Sequence, residues 1–196
     1  MIIVVGSRRD GNSQELAHLV QDMLNKERIY SKIIVPGNQK IHLCTGCMDC
    51  DKDGICDFKD DMEQNIEDIK NDNVIMFITP TRWNLLSGDL KIFMDRLNPL
   101  YSKGLLRDKK LIAVSIGSKS RDLYSTESSL SDLISFAEAA KMDVVLDKQF
   151  YDCLDFKDIL KYQDEISKFL LDVKQIVNEK HSTPLCFIFE YFLSQL

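Results

Sequence analysis

Residues Asn73 to Thr79 read NVIMFIT, an almost wholly apolar run with none of the apolar–polar alternation of a half-exposed strand. A strand apolar at every position has both faces covered, which places it inside a sheet sandwiched between helices. The runs around it fit that sandwich. Ile2 to Val5 is a short β-branched run ending at Gly6, and Asn12 to Lys26 then carries Leu16, Leu19, Val20, Met23 and Leu24 at helical spacing. Ser31 to Pro36 reads as a second strand, and Asp60 to Lys70 as a helix with Met62, Ile66 and Ile69 on one face. After the central strand come a helix over Gly88 to Leu97, a strand over Leu111 to Ile116, a helix over Ser128 to Ala140, a fifth strand starting at Asp143 to Leu146, and a long amphipathic helix over Asp158 to Val177. Five alternating strand and helix units predict an α/β fold, a doubly wound five-stranded parallel sheet of order 2-1-3-4-5. At 196 residues one domain is expected, over residues 1–180, with a cysteine loop at 44–56 and an apolar tail at 181–196.

Several function classes drop out early. The chain carries 31 acidic against 25 basic residues, a net charge of −6, so it offers no basic stripe for a nucleic-acid backbone. The opening MIIVVGSRRDG has neither the apolar length nor the cleavage site of a secretory signal, and a cytoplasmic protein is expected. The tail segment LCFIFEYFL is too short to span a bilayer and is interrupted by Glu190, so no membrane partner is expected. His18, His42 and His181 are scattered, and no cysteine is followed by the C-x5-R spacing of a cysteine phosphatase.

In a doubly wound sheet, chemistry gathers at the carboxyl ends of the strands. Three loops fall there. Gly6 to Ser13, GSRRDGNS, resembles a nucleotide P-loop without its lysine, which disfavours a magnesium triphosphate. It also lacks G-x-G-x-x-G. What remains, namely helix N-terminal amides around Gly11, hydroxyls of Ser7 and Ser13, the Asn12 amide and Arg8 or Arg9 as counter-charge, suits a single phosphate dianion. A merely capped turn with surface arginines is the plainer alternative. Thr79 to Gly88, TPTRWNLLSG, holds the only tryptophan, Trp83, with Leu85 and Leu86 where a connection is normally polar. A flat aromatic ligand explains this, and the alternative is that Trp83 belongs to the core. Ser115 to Lys119, SIGSK, ends its strand with small residues that let the backbone approach a ring edge. A phosphate pocket beside an apolar wall describes a flavin mononucleotide (FMN) site.

These segments, with CTGCMDCDKDGIC-DFKDDM and PTRWNLLSGDLKIFMDRL, make the chain resemble the NAD(P)H-dependent FMN reductase-like flavoproteins of flavodoxin-like fold. The cysteine spacing is similar to that of their iron-sulfur flavoprotein branch. The resemblance implies that Ser7, Arg9, Asn12 and Ser13 hold the FMN phosphate. It also implies that Pro80, Thr81, Arg82, Trp83, Asn84, Leu85 and Leu86, with Ser115, Gly117 and Ser118, line the isoalloxazine. Where the family usually has an aromatic before the tryptophan and a glycine after it, this chain has Arg82 and Asn84. The expected function is that of an FMN-dependent oxidoreductase with NAD(P)H or a ferredoxin-like protein as electron donor. A non-enzymatic electron carrier and a zinc-bearing interaction module are the alternatives. The flavin ring performs the chemistry, so no catalytic triad is nominated; Arg82 or loop amides are expected to stabilise the charge of reduced flavin. A homodimer or dimer of dimers is expected from the apolar tail and from a shallow site at the strand ends.

Cys44, Cys47, Cys50 and Cys56 follow C-x2-C-x2-C-x5-C, a compact run like those that wrap a [4Fe-4S] cluster, which is the expected occupant. Zinc is second, because it more often takes two separated pairs. Free thiols are third, since the carboxylates crowding the loop oppose thiolates unless a metal compensates; the same charges are expected to push a cluster toward low potential. Cys153 and Cys186 read as buried thiols.

Overall fold

The structure, a computed structural model, describes residues 1–120, 123 and 126–179. Its elements run β1 (Ile2–Val5), α1 (Asn12–Lys26), β2 (Lys32–Ile34), α2 (Cys50–Asp53), α3 (Met62–Asn71), β3 (Val74–Pro80), α4 (Gly88–Asp95), α5 (Asn98–Ser102), β4 (Lys110–Ile116), α6 (Glu127–Ala140), β5 (Asp143–Phe150) and α7 (Gln163–Asn178). The five strands form one parallel sheet of order β2-β1-β3-β4-β5, the flavodoxin-like order expected. The apolar tail at residues 181–196, with Cys186 and His181, lies outside the described residues. No helix among the described residues is long and apolar enough to cross a membrane.

Two-residue periodicity divides each strand between two cores. Ile3, Val5, Val74, Met76, Ile78, Ile112 and Val114 face one side, where α1 contributes Leu16, Val20 and Leu24 and α7 contributes Phe169 and Val173. Ile2, Val4, Ile75, Phe77, Leu111 and Ala113 face the other, under Met62 and Ile69 of α3, Leu90 and Phe93 of α4, and Leu130 and Leu133 of α6. Both faces of β3 are thus covered, and its residues from Val74 to Thr79 are buried without exception.

Two elements differ from expectation, and β5, of which the sequence showed the start, is completed. β2 is shorter, and β5 runs on to Phe150 through Asp147, Lys148 and Gln149, polar residues that an edge strand tolerates. The expected helix over Asp158 to Val177 is two pieces, a 3-10 turn at Asp158–Tyr162 and then α7. The break has a tertiary cause. The Ile159 amide donates to Asn12 Oδ1 at 2.9 Å, and the Asp158 carboxylate accepts from the Asp155 amide at 2.7 Å, so the first turn is shaped by bonds made outside a helix.

Candidate functional site

β1 and β3 deliver two loops to the same end of the sheet. The Gly6 amide donates to Ile78 O at 2.8 Å, and a Cβ at Gly6 would stand 2.3 Å from Ser87 Oγ, so only glycine lets β1 pass the start of α4. The chain then enters α1, whose N-terminus at Gly11 has no side-chain cap. Uncapped first-turn amides and the positive end of a 15-residue helix suit an anion. Ser7, Arg9, Gly11, Asn12 and Ser13 surround a cavity of about 160 Å³ there, closed by Pro80, Thr81, Arg82, Ile116, Ser118, Cys153 and Leu154. The donor set fits a phosphate: two hydroxyls, helix amides and one guanidinium. Cys153 adds no negative charge, because burial first, and Asp158 next, push its thiol up to about 12.

Two residues of this loop are placed differently from expectation. Arg8 turns away and forms a two-pronged ion pair with Asp89 on α4, Nε–Oδ2 3.1 Å and Nη2–Oδ1 2.8 Å, so Arg9 is the arginine that lines the cavity. The Asn12 side chain is spent on its own protein. Its Nδ2 donates to Cys153 O at 3.1 Å and Asp155 O at 2.9 Å while its Oδ1 accepts from Ile159, which leaves its backbone amide as the group able to meet a phosphate.

Beside this cavity lies a second of about 280 Å³, bounded by Thr81, Trp83, Asn84, Ser118 and Lys119, with Thr81 and Ser118 common to both. The loop after β3 is a tight hairpin: Arg82 N donates to Leu85 O and Leu85 N to Arg82 O, both at 2.9 Å. Its central residues, Trp83 at φ 52° and Asn84 at φ 62°, both lie in the left-handed region, as a type I′ turn requires. Asn84 tolerates this, whereas Trp83 is strained by it. Trp83 is also 98% exposed, which rules out the core alternative. Leu85 is exposed as well, and Leu86 turns inward onto the core beneath α4.

The strain in the hairpin gives an expected result. Trp83→Gly should be more stable than Trp83→Ala by about 1 kcal/mol, the reverse of the usual order, because alanine keeps the left-handed penalty and glycine does not. Urea unfolding of both flavin-free proteins measures it; alanine equal to or above glycine would show that the turn is not held at positive φ.

Ser115 does not reach either cavity. It is wholly buried, with its Oγ 2.6 Å from Ser129 Oγ, and Thr81 Oγ1 lies 3.5 Å and 3.4 Å from the two. Ser129 donates to Thr126 O at 3.0 Å, so the short contact has Ser115 as donor, and Thr81 sits at the exposed end of a buried hydroxyl cluster. Gly117, also buried, ties the sheet end together: its amide donates to Phe150 O, and its carbonyl accepts from Cys153 N, both at 2.9 Å. Ile116 and Lys119 fall within the Ser115 to Lys119 loop read from the sequence, whereas Cys153 and Leu154 were not read as site residues. Cys153 and Leu154 are held at the first cavity by the Cys153 amide on Gly117 O and by the Asn12 bridge, and nothing local in the sequence signals either contact.

A third and larger cavity, about 840 Å³, is lined by all four cysteines of the loop, with Asp51, Asp57 and Phe58, with Asp95 and Arg96 from the end of α4, and with Asn98 and Tyr101 from α5. The loop's stem is tightly fastened. Asp61 N donates to Lys40 O at 3.1 Å and Lys40 N to Asp61 Oδ2 at 2.7 Å, and the rings of His42 and Phe58 stack at 5.1 Å. Beneath them Arg96 and Asp60 form a buried pair, 1% and 3% exposed, with contacts of 2.7 and 3.1 Å. Arg96 also donates to His42 O at 2.8 Å and lies 5.2 Å from the centre of the Phe58 ring.

Within the stem, Cys44 and Cys47 are exposed and Cys50 is buried at the start of α2. Burial raises the Cys50 thiol; the Asn98 amide, donating to its sulfur at 3.1 Å, opposes that. Burial also works against the charge of Arg96, but Asp60 and neighbouring Cys56 more than restore it, and its pKa stands above the ordinary value. Arg96 Nε is buried with no hydrogen-bond partner, so an acceptor is wanting on this wall. Four thiols and one unspent N–H, that of Arg96 Nε, around one cavity fit a thiolate-ligated group in donor type, although no three His, Cys, Asp or Glu side chains among the described residues are arranged to hold a metal ion. Arg96 had a sequence signal, since a charge three residues after Phe93, on the apolar face of a helix, implies a buried partner; Asn98 had none.

A parallel 2-1-3-4-5 sheet is the flavodoxin-like architecture, and here it carries an uncapped helix N-terminus and an aromatic hairpin at its carboxyl end. The chain belongs to the NADPH-dependent FMN reductase family, whose model matches residues 1–153. It is 30% identical over 118 residues to an iron-sulfur flavoprotein of Methanocaldococcus jannaschii, covering 60% of this chain and 61% of that one. It is 24% identical over 107 residues to an iron-sulfur flavoprotein of Archaeoglobus fulgidus, covering 54% and 49%. The chain therefore spans about half to three-fifths of the length of these relatives. Among solved structures, a flavone reductase superposes with a TM-score of 0.67 at 16% identity, over 87% of this chain and 59% of that one.

Proposed function

We propose that the protein is an FMN-dependent oxidoreductase of the iron-sulfur flavoprotein type, reduced by NADPH, NADH or a ferredoxin-like donor. The observation that carries the reading is the pair of adjoining cavities, one ringed by Arg9, helix amides and hydroxyls, the other by Thr81 and Trp83. Bound there, FMN would supply hydride and single-electron chemistry at its ring. The chain's own part is to neutralise the phosphate with Arg9, Ser7 and Ser13, to shield the ring from water with Pro80 and Trp83, and to offer the Thr81 hydroxyl and the Arg82 charge at its edge. Cys44, Cys47, Cys50 and Cys56 would hold a [4Fe-4S] cluster, a reading supported by their common cavity and their spacing.

The experiment is binding followed by reduction. Wild-type protein should bind FMN more tightly than riboflavin, which lacks the phosphate, and Arg9→Gln should weaken FMN about tenfold or more while leaving riboflavin unchanged, as expected for one charge-assisted hydrogen bond. Rapid mixing with NADPH or NADH should bleach the flavin; a bound flavin that neither reduces would mark an electron carrier. No flavin affinity, with zinc bound, would replace the reading by the interaction module. Exposed Trp83, Leu85, Leu154 and Phe156 support the proposed dimer or dimer of dimers, which light scattering of the FMN-loaded protein tests.

A further inference from the structure

The end of α4 and the start of α5 supply N–H groups to a cavity otherwise crowded by carboxylates. Asn98 Nδ2 sits between two acceptors, Cys50 Sγ at 3.1 Å and Asp51 Oδ1 at 3.0 Å, so both amide protons are used and the orientation of the amide is fixed by its neighbours. The far end of α5 grips the backbone under that sulfur. Ser102 Oγ donates to Cys50 O at 3.1 Å, and Lys103 Nζ to Asp51 O at 3.2 Å and Lys52 O at 2.9 Å. Of the four cysteines, Cys50 is thus the one whose sulfur and main chain are both held from outside the loop. Arg96, two residues before Asn98, adds a buried guanidinium beside Cys56, with its Nε unpartnered.

We propose that Asn98 is a positioning and potential-setting residue for the cysteine site: it orients the Cys50 sulfur and, with Arg96 at the Cys56 side, donates N–H groups that stabilise added negative charge on the ligated sulfurs. The inference rests on the cluster reading given under Proposed function. N–H···S bonds favour the more negative, reduced form of a thiolate-ligated centre and so raise its potential. They oppose the carboxylates Asp51, Asp57 and Asp95 that line the same cavity and act in the other direction. The sequence-based expectation of a low-potential site counted only carboxylates of the cysteine loop, Asp49, Asp51, Asp53, Asp57, Asp60 and Asp61; the structure adds from outside the loop one more carboxylate, Asp95, and two donors, Arg96 and Asn98.

The test compares wild-type, Asn98→Ala, Asn98→Asp and Asn98→Ser proteins purified without oxygen, with FMN content as a check on folding. Iron and acid-labile sulfide are measured first, then the midpoint potential by a titration followed by electron paramagnetic resonance, then the rate of iron loss to a chelator. Asn98→Ala should shift the midpoint to more negative values and lose iron severalfold faster. Asn98→Asp, nearly the same shape but with a charge in place of a donor, should shift it further, and Asn98→Ser, which keeps a donor, should recover part of the difference. A loaded Asn98→Asp protein with the wild-type potential and wild-type iron loss would overturn this inference while leaving the cluster reading standing. Wild-type protein with neither iron nor sulfide would overturn the cluster reading and this inference with it.

Discussion

An Asp60→Ala protein is expected to be destabilised by about 3–5 kcal/mol, the cost of leaving a buried charge without its partner. Arg96 is 1% exposed and cannot turn to water without leaving the core beside Phe93 and Leu97. The carboxylate also accepts from His42 N at 2.8 Å and Met62 N at 3.0 Å, so its loss frees the stem of the cysteine loop and the first turn of α3 together. Urea unfolding of the flavin-free protein measures this, and a loss under about 1 kcal/mol would show that the pair is solvated. The double replacement Asp60→Ala with Arg96→Met should be more stable than Asp60→Ala alone, because the stranded charge is gone. The pair also predicts a pH dependence. Burial alone would raise the Asp60 carboxyl, but Arg96 and the two amides lower it below its ordinary value. Its unfolded pKa is near about 4, so the stabilisation is complete above that pH and is lost as pH falls through the lower folded value. The stability gap between wild type and Asp60→Asn should therefore be widest near neutrality and close in acid.

Asn12→Ala should cost about 2–4 kcal/mol in the absence of any flavin, since three backbone groups, Cys153 O, Asp155 O and Ile159 N, lose their partner at a site only 7% exposed. Asn12→Asp should fare no better, because a carboxylate would face the two carbonyls that the amide now serves. Unfolding of the flavin-free variants separates this from the sequence-based expectation of an Asn12 amide on the phosphate, which predicts weaker FMN binding with stability unchanged. Wild-type stability in Asn12→Ala would refute the bridge.

The sheet was legible because its strands are short apolar runs closed by glycine or proline and because α1, α3 and α4 show one apolar face each; these depend on local pattern alone. The 3-10 turn at Asp158–Tyr162 was not, because the partner that takes the Ile159 amide is 147 residues away in sequence. The candidate site divides in the same way. Ser7, Arg9, Ser13, Thr81, Trp83 and Ser118 were visible as loop residues at strand ends, and they do line the two adjoining cavities. The Ser115 side chain lies under the floor against Ser129, so of the Ser115 to Ser118 segment Ile116 and Ser118 are the residues that line the cavities. Arg8 and Arg9 could not be told apart until Asp89 on α4 claimed the first.

Helix α4 joins the hairpin after β3 to the cysteine cavity. Its N-cap, Ser87, follows the Trp83 hairpin, its first turn holds Arg8 through Asp89, and its far end presents Arg96 and then Asn98 to the cysteine cavity. From Ser87 to Arg96 the helical rise is about 13 Å. It is a ruler with a fixed phase. Adding or deleting one residue within it would turn the far end by about 100° and slide it by about 1.5 Å, carrying Arg96 off the apolar face while leaving the hairpin in place. The eight residues from Gly88 to Asp95 therefore set both the distance and the rotational phase between the hairpin and the cysteine cavity.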